Sequence, residues 1–250
     1  MRVVLPLASL LLSVCCMSGA GNSTVTGLEI PAVDGSANLI SHIGYTSCYN
    51  EEYLIPDWIA WELTAEELEG RLDTYRNYSE DPDWDGSQAM NRDYVNSGYT
   101  HGHMAPVGDM KWSSQAIEES NYLTNMCPQT AELNAGDWEN VESLCRRMAR
   151  RYGRVWITCG PLVASSSPER IGRNGVVVPD AFFKVVLVKI RDDYHGIGFL
   201  FRNDDSEQPM RECAVRVDDV ENITGLDFFP GLEDSVENRV ESEFDLNVWK

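Results

Sequence analysis

Basic residues are scarce in this chain: 20 Lys or Arg stand against 40 Asp or Glu, for a formal charge of −20. A balance of that sign opposes nonspecific capture of a polyanion by the surface as a whole, and it suits a chain kept soluble by self-repulsion. Histidine is scarcer still, with four in 250 residues. No long apolar run follows Val14, so no later stretch reads as a membrane helix. There is no CxxC pair, which excludes a zinc ribbon and a dithiol redox motif. Internal repeats and low-complexity linkers are missing too, and a single domain is expected.

What is present begins with a leader pattern. Met1-Arg2, the apolar run Val3 to Val14 and the small residues Ser18-Gly19-Ala20 have the three regions of a secretory signal. Residues 1–20 are therefore expected to be a signal peptide and residues 21–250 one domain, with an irregular lead-in over 21–56, in a secreted or periplasmic protein. A lipid anchor through Cys15 or Cys16 is the alternative. Cys48, Cys127, Cys145, Cys159 and Cys213 remain, an odd number in a compartment that permits disulfides. One or two bridges plus a free thiol are expected.

Asp57 to Leu63 has strand composition. Thr64-Ala65-Glu66-Glu67 is a capping box that predicts a helix towards Tyr75. Asn77 to Gln88, rich in Asp, Pro, Ser and Gly, predicts a loop. Ser114 to Met126 predicts a helical turn or two. Trp138, Val141, Cys145, Met148 and Tyr152 fall on one stripe at helical spacing, so Asp137 to Tyr152 predicts a helix with Asp137 as N-cap and Gly153 as its stop. Val155 to Thr158, Ala181 to Ile190, Gly196 to Phe201 and Cys213 to Val217 are dense in β-branched and aromatic residues and predict strands. Asp218-Asp219 then opens a short helix that ends at Gly225. The class expected is α+β, with helices around a mostly antiparallel central sheet.

The charge is unevenly spread. Asn91 to Gly160 carries seven Lys or Arg against eight acids, so nearly all of the negative charge lies elsewhere. Between Glu142 and Glu169 there is no acid at all, and five arginines stand in that gap. Beside it lies Ser97-Gly98-Tyr99-Thr100-His101-Gly102-His103-Met104-Ala105-Pro106, which holds two of the four histidines. On an extended segment His101 and His103 point the same way and could share a zinc ion, with His42, His195 or a carboxylate as third ligand. Either imidazole could instead be a general base near neutral pH. Asn121, Asn125 and Asn134, with Glu142 and Arg146 one helical turn apart, make a set suited to phosphate and a hydrated magnesium ion. Loop histidines and turn asparagines are the plain alternative.

Tyr99 to Pro106, Asn121 to Gln129, Leu133 to Trp138 and Glu142, taken in order and at their spacing, resemble the DNA/RNA non-specific endonuclease family. The similarity continues through Gly160-Pro161-Leu162, Pro179 to Lys184 and Val217 to Asp227. It implies a ββα-metal finger and magnesium-dependent hydrolysis of DNA and RNA phosphodiesters, with manganese as a substitute. Little sequence preference is implied as well, because backbone contacts carry no direct sequence information. Carried over by residue, the resemblance makes His103 the base that activates water and Asn134 the direct metal ligand. Glu142 becomes the acid that reaches the metal through water, and Arg146 the arginine that neutralises the phosphate. Asn125 supports the histidine region and the substrate, while Arg76 matches a further phosphate-contacting arginine. A homodimer and a protein inhibitor are partners to consider.

One departure from the family pattern falls inside the motif. The usual Asp-Arg-Gly-His is here Thr100-His101-Gly102-His103. Loss of the aspartate removes an expected partner for the loop, and His101 replaces a permanent cation. The expectation is that protonated His101 substitutes below about pH 6.5 and gives a lower pH optimum or rate. Rivals to the nuclease reading are a two-histidine zinc hydrolase and a catalytically inactive nucleic-acid or partner-binding module.

Overall fold

A computed structural model describes residues 27–33, 35 and 37–250. The expected signal peptide, and with it Cys15 and Cys16, lies outside the described residues. Eleven strands are present among them. They are β1 (Leu39–Ser41), β2 (Thr46–Asn50), β3 (Ile55–Thr64), β4 (Thr100–His103), β5 (Met126–Gln129), β6 (Arg154–Leu162), β7 (Arg170–Ile171), β8 (Val176–Val177), β9 (Ala181–Ile190), β10 (Asp193–Arg202) and β11 (Ala214–Val215). The helices are α1 (Asn91–Tyr94), α2 (Ser114–Ser120), α3 (Ala131–Ala135), α4 (Asp137–Tyr152), α5 (Met210–Cys213), α6 (Val217–Thr224) and α7 (Asp234–Ser242).

Seven strands form one antiparallel sheet in the order β1-β2-β3-β6-β9-β10-β11. Its central strands read as unbroken apolar runs because both faces are covered. Along β9, Phe182, Val186 and Val188 join the core under α4, whereas Phe183, Val185 and Leu187 join a second core under α6 and α7. Successive side chains of a strand point to opposite faces, so one run of ten residues lines two cores. The α+β expectation holds, and α4 matches its predicted bounds with Trp138, Val141, Leu144, Cys145, Met148 and Ala149 buried. Gly153 ends it at φ 96°, a conformation open to glycine at little cost.

Several local expectations are corrected. The lead-in is not irregular throughout, since β1 and β2 extend the main sheet and Ile30 is buried in the second core. The Thr64 capping box forms, with Glu67 Oε2 accepting from the Thr64 N–H at 2.8 Å, but the helix stops after Glu67–Glu69. Tertiary contact overrides propensity here. A Cβ on Gly70 would stand 2.5 Å from the backbone of Lys111 and Trp112, and the Leu72 N–H donates to the Lys111 carbonyl, which pulls the chain out of the helical path. Gly136, not Asp137, caps α4; the Asp137 carboxylate instead accepts the Gln208 N–H at 2.8 Å. The strand expected over Cys213 to Val217 shrinks to Ala214–Val215, and α6 starts after Arg216. Cys127, Cys145, Cys159 and Cys213 are free thiols, so the expected bridges do not join the described elements to one another. Among the described residues no helix is long and apolar enough to cross a membrane.

Gly160 marks the tightest approach in the sheet. A Cβ there would lie 2.4 Å from the Asp57 carbonyl and 2.8 Å from the Phe183 ring. Gly160→Ala is expected to cost about 1–3 kcal/mol of stability through overpacking, seen as a lower urea midpoint with an unchanged slope.

Candidate active site

The hairpin β4–β5 followed by α3 and α4 forms a ββα unit on the α4 side of the sheet. Gly102 is required where the two strands meet, because a Cβ would stand 2.5 Å from Gln129 Oε1 and 3.0 Å from the Cys127 carbonyl. His103 ends β4, paired with Met126. Its carbonyl accepts from Trp138 Nε1 at 3.3 Å, which ties the hairpin to the first turn of α4. Its ring lies 3.4 Å from Asn121 Oδ1 through Nε2. Asn121 Nδ2 donates to the carbonyls of Ile117, at 2.7 Å, and Tyr75, at 3.2 Å, so its Oδ1 is the acceptor that faces the imidazole. That assigns the proton to Nε2 and leaves the Nδ1 lone pair as the basic position. Burial pushes the His103 pKa down to about 4, opposed by the Asn121 bond and reinforced by the charge of Arg76.

Asn134 lies in the last turn of α3, and its Nδ2 donates to Thr100 Oγ1 at 2.9 Å. Thr100 Oγ1 in turn donates to the Gln129 carbonyl at 2.9 Å. The threonine that stands in place of the expected aspartate thus has a function: it fixes the hairpin and turns the Asn134 amide so that Oδ1 faces away from it. Among the described residues nothing donates to Asn134 Oδ1 or Glu142 Oε1. A neutral amide oxygen and a carboxylate oxygen, both without hydrogen-bond donors, fit a hard, largely hydrated divalent cation.

Arg146 Nε donates to Asp109 Oδ1 at 2.5 Å and its Nη2 to Glu142 Oε2 at 3.1 Å. Its Nη1 donates to nothing among the described residues, and the side chain keeps 17% exposure. A Cβ on Gly108 would stand 2.8 Å from Arg146 Nη2, so glycine is needed for the guanidinium to lie down here. Behind this pair, Lys184 is fully buried with Nζ 4.1 Å from the Trp138 ring centroid and 5.1 Å from that of Trp61. Burial raises the carboxyl pKa values of Asp109 and Glu142, the latter to about 7, against the pull of Lys184 and Arg146. The flanking carboxylates hold Arg146 above its ordinary value despite burial.

Other expected residues are placed differently. Asn125 is sealed from solvent; its Oδ1 accepts the Ala105 N–H at 2.9 Å and its Nδ2 donates to the Ala105 and Ser120 carbonyls. It braces the segment after His103 and leaves no atom open to a substrate. Arg76 is exposed on the loop that carries Tyr75, with no hydrogen-bond or ion-pair partner among the described residues, and its charge reaches His103. His101 does not supply a cation. Its ring is stacked between Tyr78, at 3.8 Å and 7°, and Tyr94, at 4.1 Å and 21°, and its buried Nε2 has no partner. Burial pushes its pKa down to about 4. The expected low-pH rescue by protonated His101 is therefore corrected: the residue is a neutral ring in an aromatic stack. Nor do the two histidines gather a zinc site, since no group of three metal-ligating His, Cys, Asp or Glu among the described residues includes either.

Asp109, Lys184 and the Tyr78–Tyr94 pair were not found from the sequence as parts of the site. Lys184 left a signal, a lone charge inside the apolar stretch Phe182 to Val188; Asp109 left none.

Both imidazoles are held neutral in the folded chain, whereas unfolded histidine titrates near 6.5. Protons therefore bind the unfolded chain more readily, and this contribution to stability is present above pH 6.5 and lost as the pH falls towards 4. His101→Phe keeps the aromatic stack without a titrating group. Its urea midpoint is expected to fall less between pH 7 and pH 5 than that of the unmodified chain; an equal fall would contradict the stacked, neutral histidine.

Comparison with known proteins supplies the family. Residues 26–235 match the model of the DNA/RNA non-specific endonuclease family. Human mitochondrial nuclease EXOG is 32% identical over 202 residues, covering 74% of this chain and 55% of its own length. The mitochondrial nuclease of Saccharomyces cerevisiae is 31% identical, covering 82% and 69%. A crystal structure of an EndoG/EndoGI complex, described as showing the mechanism of EndoG inhibition, superposes with a TM-score of 0.78 at 28% identity, covering 84% of this chain and 91% of that one. The chain spans just over half the length of the EXOG relatives it matches. The expectation of a secreted, periplasmic or lipid-anchored protein is overturned by these relatives, several of which are named as mitochondrial. With its fold, its ββα unit and 210 consecutive residues under one family model, the chain belongs to the DNA/RNA non-specific endonuclease family.

Proposed function

We propose that this chain is a divalent-metal-dependent endonuclease, with magnesium as its cation and manganese as a substitute, that hydrolyses DNA and RNA phosphodiesters with little sequence preference. A mitochondrial location accompanies this reading, in line with the names of its relatives. The observation that carries it is the locking of base and metal ligand into one unit: Trp138 holds the His103 carbonyl while Thr100 orients Asn134.

Asn134 Oδ1, with Glu142 through water, would hold the cation, which when bound supplies Lewis acidity to the phosphate and the leaving 3′ oxygen. His103 Nδ1 takes a proton from the attacking water as its oxygen bonds to phosphorus, and the bond from phosphorus to the 3′ oxygen breaks. The 5′-phosphate stays on one product, and the 3′ oxygen gains its proton from solvent. Arg146 presents Nη1 to the phosphate from a guanidinium fixed by two carboxylates, and Arg76 adds an uncommitted cation on the opposite loop. Because His103 stays neutral down to about pH 4, its protonation imposes no acid limb between pH 5 and 7. A protein inhibitor is a partner class supported by the EndoG/EndoGI complex. No feature of the described surface supports the homodimer, which is left out of the proposal.

The test is cleavage of supercoiled plasmid and of RNA by the purified chain. Activity should require added magnesium or manganese, stop with chelator, and fall on the order of 10²-fold or more in His103→Ala. Thr100→Val should weaken the apparent metal affinity about 10- to 100-fold, because the amide that bears the ligand oxygen loses its anchor. Intact substrates under every metal and pH condition, with retained salt-sensitive DNA binding, would favour the inactive binding module instead.

A further inference from the structure

On the face of the sheet opposite the ββα unit, α6 and α7 pack side by side over Val217, Val220 and Val240. Five carboxylates crowd the seam between them. Ligand oxygens of Asp218, Glu221 and Glu241 all lie within 4.8 Å of one another, and so do those of Asp227, Glu237 and Glu241. Glu241 belongs to both groups. It is 7% exposed, and its Oε1 is buried with no hydrogen-bond partner.

Among the described residues no cation answers this charge. None of the five forms an ion pair among the described residues. The nearby arginines are committed: Arg216 to Asp219, and Arg239 to Asp193 and the Tyr194 carbonyl. Glu221 Oε1 accepts the Phe228 N–H at 2.9 Å, which fixes the loop bearing Asp227 beside the cluster. Burial first, and then the four neighbouring carboxylates, push the Glu241 pKa up to about 8. A proton on Glu241 relieves this repulsion in part, and a cation entering the seam would relieve it with the carboxylates ionised.

We propose that this seam binds a calcium ion at Glu241, the ligand common to a triad with Asp218 and Glu221 and a triad with Asp227 and Glu237. Calcium accepts six to eight oxygens in a flexible shell, which matches side chains drawn from two helices and a loop; magnesium demands a stricter octahedron. The ion would clamp α7 onto the sheet. Its role is structural, independent of the cation at Asn134 and of the proposed nuclease reaction, and lies on the other side of the sheet from both.

The experiment uses the full chain, stripped with chelator and exchanged into calcium-free buffer. Isothermal titration with calcium chloride should show a site with a dissociation constant on the order of 10⁻⁵ M. About 1 mM calcium should then raise the melting temperature by roughly 5 °C or more. Asn134→Ala should respond like the unmodified chain, which separates this site from the catalytic cation. Glu241→Gln and Glu237→Gln should lose most of the calcium response, and Glu241→Gln should melt at or above the unmodified chain in chelator because a neutral amide enters the seam without first taking up a proton. A calcium response equal in Glu241→Gln and the unmodified chain would overturn the proposal, as would one lost in Asn134→Ala or no binding at 1 mM.

Discussion

The arrangement at the site rests on one constraint: four charged groups must be held on top of an apolar core without being neutralised by water. Arg146 lies between Asp109 and Glu142, and Lys184 stands behind them against two tryptophan rings. Each charge alone would be costly to bury; set together, Arg146 and Lys184 pull the two carboxyls back towards ionisation against the burial that raises their pKa values. The apolar helix stripe and the central strands supply the dry walls that make those interactions strong. The same walls set where the ββα hairpin can dock, because Trp138 serves at once as a wall for Lys184 and as the donor to His103.

The two altered letters of the motif each have an identifiable place in the structure. Position 101 contributes shape, a flat ring filling the gap between Tyr78 and Tyr94, and in the proposed reaction the positive charge facing the phosphate would come from Arg76 and Arg146. Position 100 contributes a hydroxyl that both donates and accepts, so a neutral side chain links strand and ligand where an acid was expected. Each substitution changes the means and keeps the geometry.

Much of the fold could be read from periodicity. The α4 stripe and the apolar strands β6, β9 and β10 were legible because packing on both faces of a sheet leaves a strong local pattern. What escaped was set by distant contacts. The helix signalled at Thr64 was cut short by the backbone of Lys111 and Trp112, forty residues further on, and the lead-in strands β1 and β2 are too short to announce themselves. At the candidate site, His103, Asn134, Glu142 and Arg146 could be singled out from the sequence because their chemistry and spacing are recognisable. Asp109 was invisible, since nothing in its own neighbourhood distinguishes a loop aspartate from the partner of a buried arginine. His101 was found but given the wrong electrostatic role, because burial, which decides whether an imidazole is charged, is a property of the folded chain.

The thiols carry a consequence of their own. Cys127, Cys145 and Cys159 are buried and their sulfurs held protonated by that burial, with Cys145 pushed up to about 12 and Cys159 to about 11. A protonated, enclosed sulfur is a poor nucleophile and a poor target for oxidants. Since no bridge cross-links one described element to another, the cohesion of the sheet and its helices comes from packing, hydrogen bonding and charge pairing. Among the described elements glutathione finds no bridge joining Cys127, Cys145, Cys159 or Cys213 to reduce, and peroxide finds the three buried sulfurs closed.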